Sequence, residues 1–232
     1  MPRVTIDASG KYELREFPQM PKLKVLVACE YSGVVRNAFL ARGHHAWSCD
    51  LLDTEKPGPH ITGDVLGVLN EGWDLMIAHP PCTYLTNSAE WAYGPGPYHQ
   101  KVKPETLVGE HRKRARTEAI KFVKALWNAP IRCICIENPI GVLSREIDLG
   151  RPQIIQPHQF GEDASKATCL FLKNLSPLRP TKLIEPRMVN GKPRWGNQTD
   201  SGQNRLSPKQ DRWKDRSRTF EGIAKAMAEQ WG

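Results

Sequence analysis

Two short segments of the chain carry residue types that could perform covalent chemistry on a bound molecule. The first is a Pro-Pro-Cys tripeptide at 80–82, and the second is a Glu-Asn-Pro tripeptide at 137–139; each follows an apolar stretch. Two prolines restrict the backbone before Cys82, so its thiol can be aimed, and a thiol is nucleophilic in its thiolate form. A carboxyl group such as that of Glu137 can polarise a ring nitrogen if it is protonated or shares a proton. Together the segments predict a nucleophile and an acid–base group that share one pocket.

Each segment also has a plainer structural interpretation when it is taken alone. A Pro-Pro-Cys tripeptide after a strand is most often a stiff turn with a buried thiol, and a carboxylate that ends a strand is most often a surface acid. The other cysteines and the histidines show no spacing that is typical of metal ligands, so no metal site is predicted. We expect Cys133 and Cys135 in the core.

Apolar periodicity predicts the elements that must position these segments. Short β-rich stretches predict strands at 23–29, 45–50, 61–64, 73–78 and 131–136. Helical spacing predicts helices at 33–43, 105–127 and 219–231. A long loop is expected at 83–104, and an antiparallel hairpin at 153–160 and 168–172. Alternating strands and helices predict an α/β fold with a mostly parallel sheet that is covered on both faces.

The residues that could do chemistry fall at the ends of these predicted strands. In parallel sheets, ligands bind outside the carboxyl ends of the strands, at the point where the strand order reverses. We therefore expect one crevice that gathers these side chains. The residues concerned are Cys29, Glu30, Asp50, Asp64, the segment 79–82 and Glu137.

Length and composition favour one domain. The chain has 232 residues, of which 39% are hydrophobic, and a single core usually serves chains of up to roughly 250 residues. Residues 1–21 are polar and contain prolines, so we expect an irregular arm followed by one catalytic domain over 22–232. No apolar run approaches the ~20 residues that a membrane-spanning helix needs, and the first residues contain no apolar signal core. With cysteines that are expected to be reduced, these features predict a cytoplasmic protein without a membrane partner.

The positive charge of the chain is concentrated in one stretch. The formal net charge is +8, and residues 179–218 contain eleven basic and four acidic residues, together with Trp195 and Trp213. Cationic side chains bind phosphates and flat rings stack on bases, so this stretch predicts contact with nucleic acid. The alternative is a solvated basic loop that aids solubility.

The two tripeptides resemble the signature segments of the DNA cytosine-C5 methyltransferases, which have a Pro-Pro-Cys nucleophile loop and a Glu-Asn-Val or similar tripeptide. Weaker motifs follow in the order of that family: 25–33 is similar to its cofactor loop, and 156–170 to its later hairpin. The resemblance implies a class I, Rossmann-like methyltransferase fold: an α/β fold with a mostly parallel sheet and a terminal antiparallel hairpin.

The resemblance also implies roles for individual residues. Cys82 would add to C6 of a cytosine, Glu137 would stabilise protonation at N3, and Lys166 would supply the cation near the thiol, where the family usually has Arg. The cofactor would be S-adenosylmethionine, and its expected contacts are Cys29, Glu30, Tyr31, Ser32, Gly33, Asp50, Asp64 and Pro80. The expected contacts to the substrate base are Pro81, Asn138, Pro139 and Gln156.

Departures from the family's pattern leave the substrate open. The loop at 29–33 keeps only the final glycine of the family's Phe-x-Gly-x-Gly, and the basic stretch at 179–218 occupies the place of a much longer target-recognition region. Duplex DNA, single-stranded nucleic acid and a cytosine nucleotide are therefore all candidate partners. A non-catalytic nucleic-acid-binding protein with the same fold is a further alternative.

A second family matches the segment at 79–82 less well. His-Pro-Pro-Cys is similar to the Asp/Asn-Pro-Pro-Tyr/Phe signature of amino-methylating DNA enzymes, but its first and fourth residues differ from that pattern. The cytosine-C5 resemblance and the small size of the chain suit a DNA modifier of a phage, acting in the cytoplasm of its host.

Overall fold

A seven-stranded mixed sheet forms the centre of the molecule in the computed structural model. The structure describes residues 3–6, 12–15, 21–98, 102, 104–206, 214 and 217–232. The strands are β1 (Arg3–Ile6), β2 (Tyr12–Arg15), β3 (Lys24–Ala28), β4 (His45–Asp50), β5 (His60–Thr62), β6 (Leu75–Ala78), β7 (Cys133–Pro139), β8 (Gln153–Ile155), β9 (Thr168–Lys173), β10 (Arg187–Val189) and β11 (Lys192–Arg194). The helices are α1 (Val34–Ala41), α2 (Gly109–Trp127), α3 (Leu143–Glu146) and α4 (Glu221–Trp231).

The order of strands in the central sheet is β5-β4-β3-β6-β7-β9-β8. The first five of these strands are parallel to one another, whereas β9 is antiparallel to both β7 and β8. Strands β3, β4 and β5 follow one another outward to one edge of the sheet, and β6, on the other side of β3, starts the second half. This reversal between β3 and β6 is the switch point at which Rossmann-like sheets bind ligands. The prediction of a Rossmann-like α/β fold with a terminal antiparallel hairpin is confirmed.

Both faces of the sheet are covered, which explains why its central strands are apolar throughout. All four residues of β6 are buried. Met76 and Ala78 face the core beneath α2, whereas Leu75 and Ile77 face the core beneath α1 and α4. Cys133 and Cys135 are buried in this second core, as expected.

Several element boundaries differ by a few residues from the sequence-based prediction, and that of β7 matters for the site. Helix α2 begins at Gly109 rather than 105, because Glu105 and Gly109 both have a positive φ. Strand β7 continues to Pro139 rather than ending at 136, because β9 pairs with it as far as Thr168. Glu137 therefore lies within a paired strand, opposite Leu170 of β9.

Within 1–21, where the sequence predicts an irregular arm, the structure describes two short strands. β1 and β2 pair as an antiparallel hairpin, and Val4 and Ile6 supply the β-branched residues that favour such a strand. The other residues up to 20 lie outside the described part of the chain. The basic stretch contains a second small hairpin, formed by β10 and β11.

Among the residues that the structure describes, no helix is both long and apolar enough to cross a membrane.

Candidate active site

Two cavities adjoin at the carboxyl ends of the parallel strands. The first, which we call the thiol cavity, has a volume of about 420 Å³ and is lined by Cys82, Glu137 and Lys166 among others. The second, the acidic cavity, has a volume of about 560 Å³ and is lined by Asp50 and Asp64 among others. The two cavities share wall residues, namely Cys29, Pro81 and Thr83. A molecule in one cavity would therefore lie next to a molecule in the other.

The loop after β6 holds Cys82 at the wall of the thiol cavity. The Cys82 carbonyl accepts hydrogen bonds from the backbone N–H groups of Leu85 at 3.0 Å and Thr86 at 3.2 Å, which closes a turn directly after the thiol. Asn138 of β7 is buried and donates its Nδ2 to the Pro80 carbonyl at 3.0 Å. Pro139 lines the same cavity. The Pro-Pro-Cys loop is thus anchored to the strand that carries the Glu137 carboxylate.

A histidine holds the Glu137 carboxylate in the thiol cavity. Its Oε2 lies 3.0 Å from Nδ1 of His79, and the two side chains are 16% and 8% exposed. Burial raises the pKa of Glu137. Hydrogen bonds from His79 and Thr168 and the positive charges of His79 and Lys166 lower it by more than burial raises it, so that the pKa lies below its usual value. Glu137 is therefore an ionised hydrogen-bond acceptor at neutral pH, and burial does not keep it protonated.

The sequence placed His79 in the expected crevice, as part of the segment 79–82, but gave no sign of its contact with Glu137. The signal that could have found it is the pairing of β6 with β7, in which Ala78 lies opposite Ile136. That register places the next residues, His79 and Glu137, side by side. The apolar patterns of two strands do not show how the strands pair. The contact between His79 and Glu137 therefore could not be predicted from the sequence.

The acidic cavity combines carboxylates with an apolar wall. Asp50 ends β4 and Asp64 follows β5; each uses Oδ1 to accept the backbone N–H two residues on, both at 3.0 Å. The opposite wall is formed by α2, which contributes Ala119, Phe122 and a third carboxylate, Glu118. Carboxylates that are fixed by their own loops suit ligand hydroxyl and amino groups, and the apolar wall suits a flat ring.

The loop between β3 and α1 is built differently from a glycine-rich cofactor loop. Glu30 is buried, and its carboxylate accepts the N–H groups of Val35 at 2.7 Å and Arg36 at 3.2 Å, with a further hydrogen bond from Ser32 Oγ at 3.1 Å. A side-chain carboxylate thus caps the first turn of α1. Glu30, Tyr31 and Ser32 line the thiol cavity rather than the acidic cavity.

Gly33, predicted as a cofactor contact, lines neither of the two cavities. Its φ is 68°, and a Cβ at this position would lie 2.4 Å from Nη2 of the buried Arg36. Arg36 donates to the Ser48 hydroxyl at 2.8 Å and to the Lys56 carbonyl at 2.7 Å. The glycine therefore makes room for a structural arginine that ties α1 to the neighbouring strands.

The remaining predicted site residues fall into two groups. Pro80 and Pro81 line the thiol cavity, and Pro81 also lines the acidic cavity. Gln156 lines neither; its Oε1 accepts the backbone N–H of Lys166 at 2.9 Å. Gln156 is placed to hold the loop that carries Lys166. Cys29, which lies at the junction, has a positive φ of 58°, and burial with nearby acidic groups raises the pKa of its thiol.

The aromatic residues of the basic stretch differ in how they are placed. Trp195 stacks on His158 with ring centroids 4.4 Å apart and an angle of 21° between the planes, so one of its faces is covered. Trp213 lies outside the described residues. At the end of the stretch, Ser217, Arg218 and Thr219 line the thiol cavity, and Arg218 pairs with Glu55 at 2.7 Å.

Comparisons with known proteins give a distant structural similarity. No family profile matches the chain, and no curated protein matches it. A solved structure from E. coli, of a prophage-encoded protein provisionally named a DNA modification methyltransferase, matches with a TM-score of 0.43 and 12% identity. The match covers 73% of this chain and 54% of that one, so the chain spans about half the length of that protein.

Proposed function

We propose that the protein is an S-adenosylmethionine-dependent methyltransferase that modifies C5 of cytosine in DNA through a covalent bond between Cys82 and C6 of the ring. One observation carries this proposal. A thiol, an ionised carboxylate and an ammonium group line a single cavity, and that cavity shares a wall with a second one that carries two carboxylates at strand ends. A cysteine nucleophile and an adjacent donor site are what such a reaction requires.

The residues of the acidic cavity fit S-adenosylmethionine. Asp50 would accept hydrogen bonds from the ribose hydroxyls, Asp64 would accept one from the adenine amino group, and Phe122 and Ala119 would cover the ring. The bound cofactor supplies a methyl group on a positively charged sulfur. We expect it to raise the melting temperature of the wild type and of Asp148→Ala, an exposed site elsewhere, but not that of Asp50→Ala. A wild type without any shift would contradict the cofactor assignment.

The residues of the thiol cavity supply the rest of the chemistry. The Cys82 thiolate forms a bond to C6, and the electron pair of the C5–C6 double bond moves to C5, which makes C5 nucleophilic. Glu137, as a carboxylate, accepts a hydrogen bond from the protonated N3 and so stabilises the ring during addition. Lys166, which lines the same cavity, would supply the cation near the thiol. After C5 has bonded to a methyl group, its proton is lost to solvent; the electron pair left on C5 restores the C5–C6 double bond, and the bond to Cys82 breaks to release the thiolate.

DNA is the proposed substrate because the charge of the chain suits a polyanion. A base in a duplex must be flipped out before its ring can enter the thiol cavity, at a cost of a few kcal/mol. Cationic side chains near the cavity mouth, such as Arg218, would hold the flanking phosphates. A cytosine nucleotide would fit the same chemistry, and the experiment below separates the two substrates.

The test is to express the protein in cells that lack cytosine methylation and to digest their DNA and their nucleotide pool separately. Mass spectrometry should find 5-methylcytosine in the DNA of cells with the wild type, and none with Cys82→Ser or Glu137→Gln. Methylated base in the nucleotide pool alone would change the substrate to a nucleotide. Equal signal from Cys82→Ser and the wild type would refute the covalent mechanism.

A further inference from the structure

His79 lines the thiol cavity, and the proposed chemistry gives it no role. Its Nδ1 lies 3.0 Å from Oε2 of Glu137, and its side chain is 8% exposed. Its Nε2 is buried and has no hydrogen-bond partner among the residues that the structure describes. Since Nδ1 faces a carboxylate oxygen, it carries the proton and donates to Glu137.

The unpartnered Nε2 shows that His79 is not there for stability alone. A buried polar atom without a partner costs free energy of folding, and an apolar side chain of similar size would avoid that cost. The only hydrogen bond that the ring makes within the described part of the chain is the one to Glu137. The residue type at this position is therefore explained by its effect on Glu137.

A carboxylate that is held at one oxygen has a defined orientation. The bond from His79, together with one from Thr168, restricts rotation about the Cγ–Cδ bond of Glu137, and Oε1 lies on the side away from the His79 ring. We propose that His79 is a positioning residue, which holds Oε2 of Glu137 so that Oε1 meets the protonated ring nitrogen of a bound base. This inference rests on the proposed function, because it assigns the base to the same cavity.

The surroundings of Glu137 agree with an ionised carboxylate. Burial together with the negative charge of Glu137 raises the pKa of two nearby buried thiols, Cys135 and Cys169. Within its own cavity, His79 and Lys166 are the groups whose charges lower the pKa of Glu137. Further titratable side chains that line this cavity are Cys29, Glu30, Tyr31, Cys82 and Arg218.

Three variants separate the role of Nδ1 from that of the rest of the ring. His79→Asn keeps a donor close to the position of Nδ1, His79→Gln places its amide nearer to that of Nε2, and His79→Leu removes both. The carboxyl carbon of Glu137 can be followed by NMR in protein labelled with ¹³C at glutamate Cδ, and its signal is assigned by its loss in Glu137→Gln.

We expect Glu137 to titrate at the lowest pH in the wild type, at a higher pH in His79→Asn, which keeps the hydrogen bond but not the positive charge, and at the highest pH in His79→Leu and His79→Gln. The acid limb of methyl transfer should move in the same direction. In addition, kcat should fall about tenfold or more in His79→Leu and recover in His79→Asn, with a smaller change in KM. Identical titration of Glu137 in all four proteins would overturn the inference.

The readouts distinguish this inference from the proposed function. A wild type without methyl transfer would remove the function, and with it the role of His79, whatever the titration shows. An active wild type whose pH profile stays unmoved in both His79→Leu and His79→Gln would overturn only the role of His79. If His79→Leu does not fold, the comparison of His79→Asn with His79→Gln still decides.

Discussion

At the scale of single residues, the environment rather than the residue type selects the groups that can react. Of the six cysteines, four are buried, and burial and acidic neighbours raise the pKa of Cys29. Cys82 is half-buried and lines a cavity together with a lysine. The same cavity keeps the pKa of Glu137 low by means of His79 and Lys166. Cys82 and Glu137 are therefore the thiol and the carboxylate best placed to act on one ligand.

The low pKa of Glu137 predicts how activity depends on pH. Because the ionised form is the acceptor, methyl transfer should be present above the pKa of Glu137 and be lost as the pH falls through it. Lys166→Met removes a positive charge that lowers this pKa, so the acid limb should move to higher pH. Lys166→Arg should leave the limb where it is, and Lys121→Met, on the surface of α2, serves as the control. An acid limb that Lys166→Met does not move would contradict the coupling of the two residues.

At the scale of elements, the most unusual feature is the glutamate that caps α1. The sequence identified 29–33 as a departure from a glycine-rich loop, but it did not reveal that Glu30 turns inward to accept two backbone N–H groups. A buried carboxylate in this place stabilises the helix start through charge-assisted hydrogen bonds. The first turn of α1 is therefore held without help from a ligand.

This capping predicts a loss of stability in Glu30→Ala. Two buried N–H groups would lose their acceptor, so the free energy of unfolding should fall by about 2 kcal/mol or more. Denaturation by urea, followed by circular dichroism, measures the change. Ser32→Ala removes a single hydroxyl from the same network and should cost less. Equal stability of Glu30→Ala and the wild type would show that the contact contributes nothing.

Element positions were easier to predict than contacts between elements. The strand at 45–50 has the predicted bounds, because the signals that define it are local in sequence: a turn at Gly43 precedes the strand, and Asp50 ends it. The end of β7 was missed, because pairing with Thr168 on β9 extends it. The contact of His79 with Glu137 was missed for the same reason. Such features depend on partners that are distant in sequence.

At the scale of the whole molecule, the sequence shows where the excess positive charge lies, but it does not show which basic side chains pair within the protein and which are exposed. Arg187 pairs with Asp200 at 2.6 Å, and Arg194 donates to the Asp200 carbonyl at 3.0 Å, so these two arginines also hold the loop around them. Trp195 is partly covered by His158. Lys182 and Lys192 are exposed and remain available for a polyanion.

These two lysines predict a change in the salt dependence of DNA binding. In the double variant Lys182→Ala/Lys192→Ala, the slope of log affinity against log salt should be smaller by about two, since each phosphate contact contributes about 0.9. Fluorescence anisotropy with a labelled duplex measures the slope. The matched control is Lys113→Ala/Lys121→Ala on α2, where each lysine pairs with a glutamate three residues earlier. Equal slopes in both double variants would place the DNA on another surface.

The measurement that tests the central claim most directly is capture of the bond between Cys82 and the pyrimidine ring. Cells that express the protein are grown with 5-aza-2′-deoxycytidine, whose ring has a nitrogen in place of C5 and its hydrogen. Without a C5 proton to lose, the ring cannot expel the enzyme, so the bond should persist whatever the target sequence is. After digestion, mass spectrometry should find the azacytosine nucleotide on the peptide that contains Cys82, and no adduct in Cys82→Ala. An adduct on Cys29 or another cysteine, or none at all, would contradict the account.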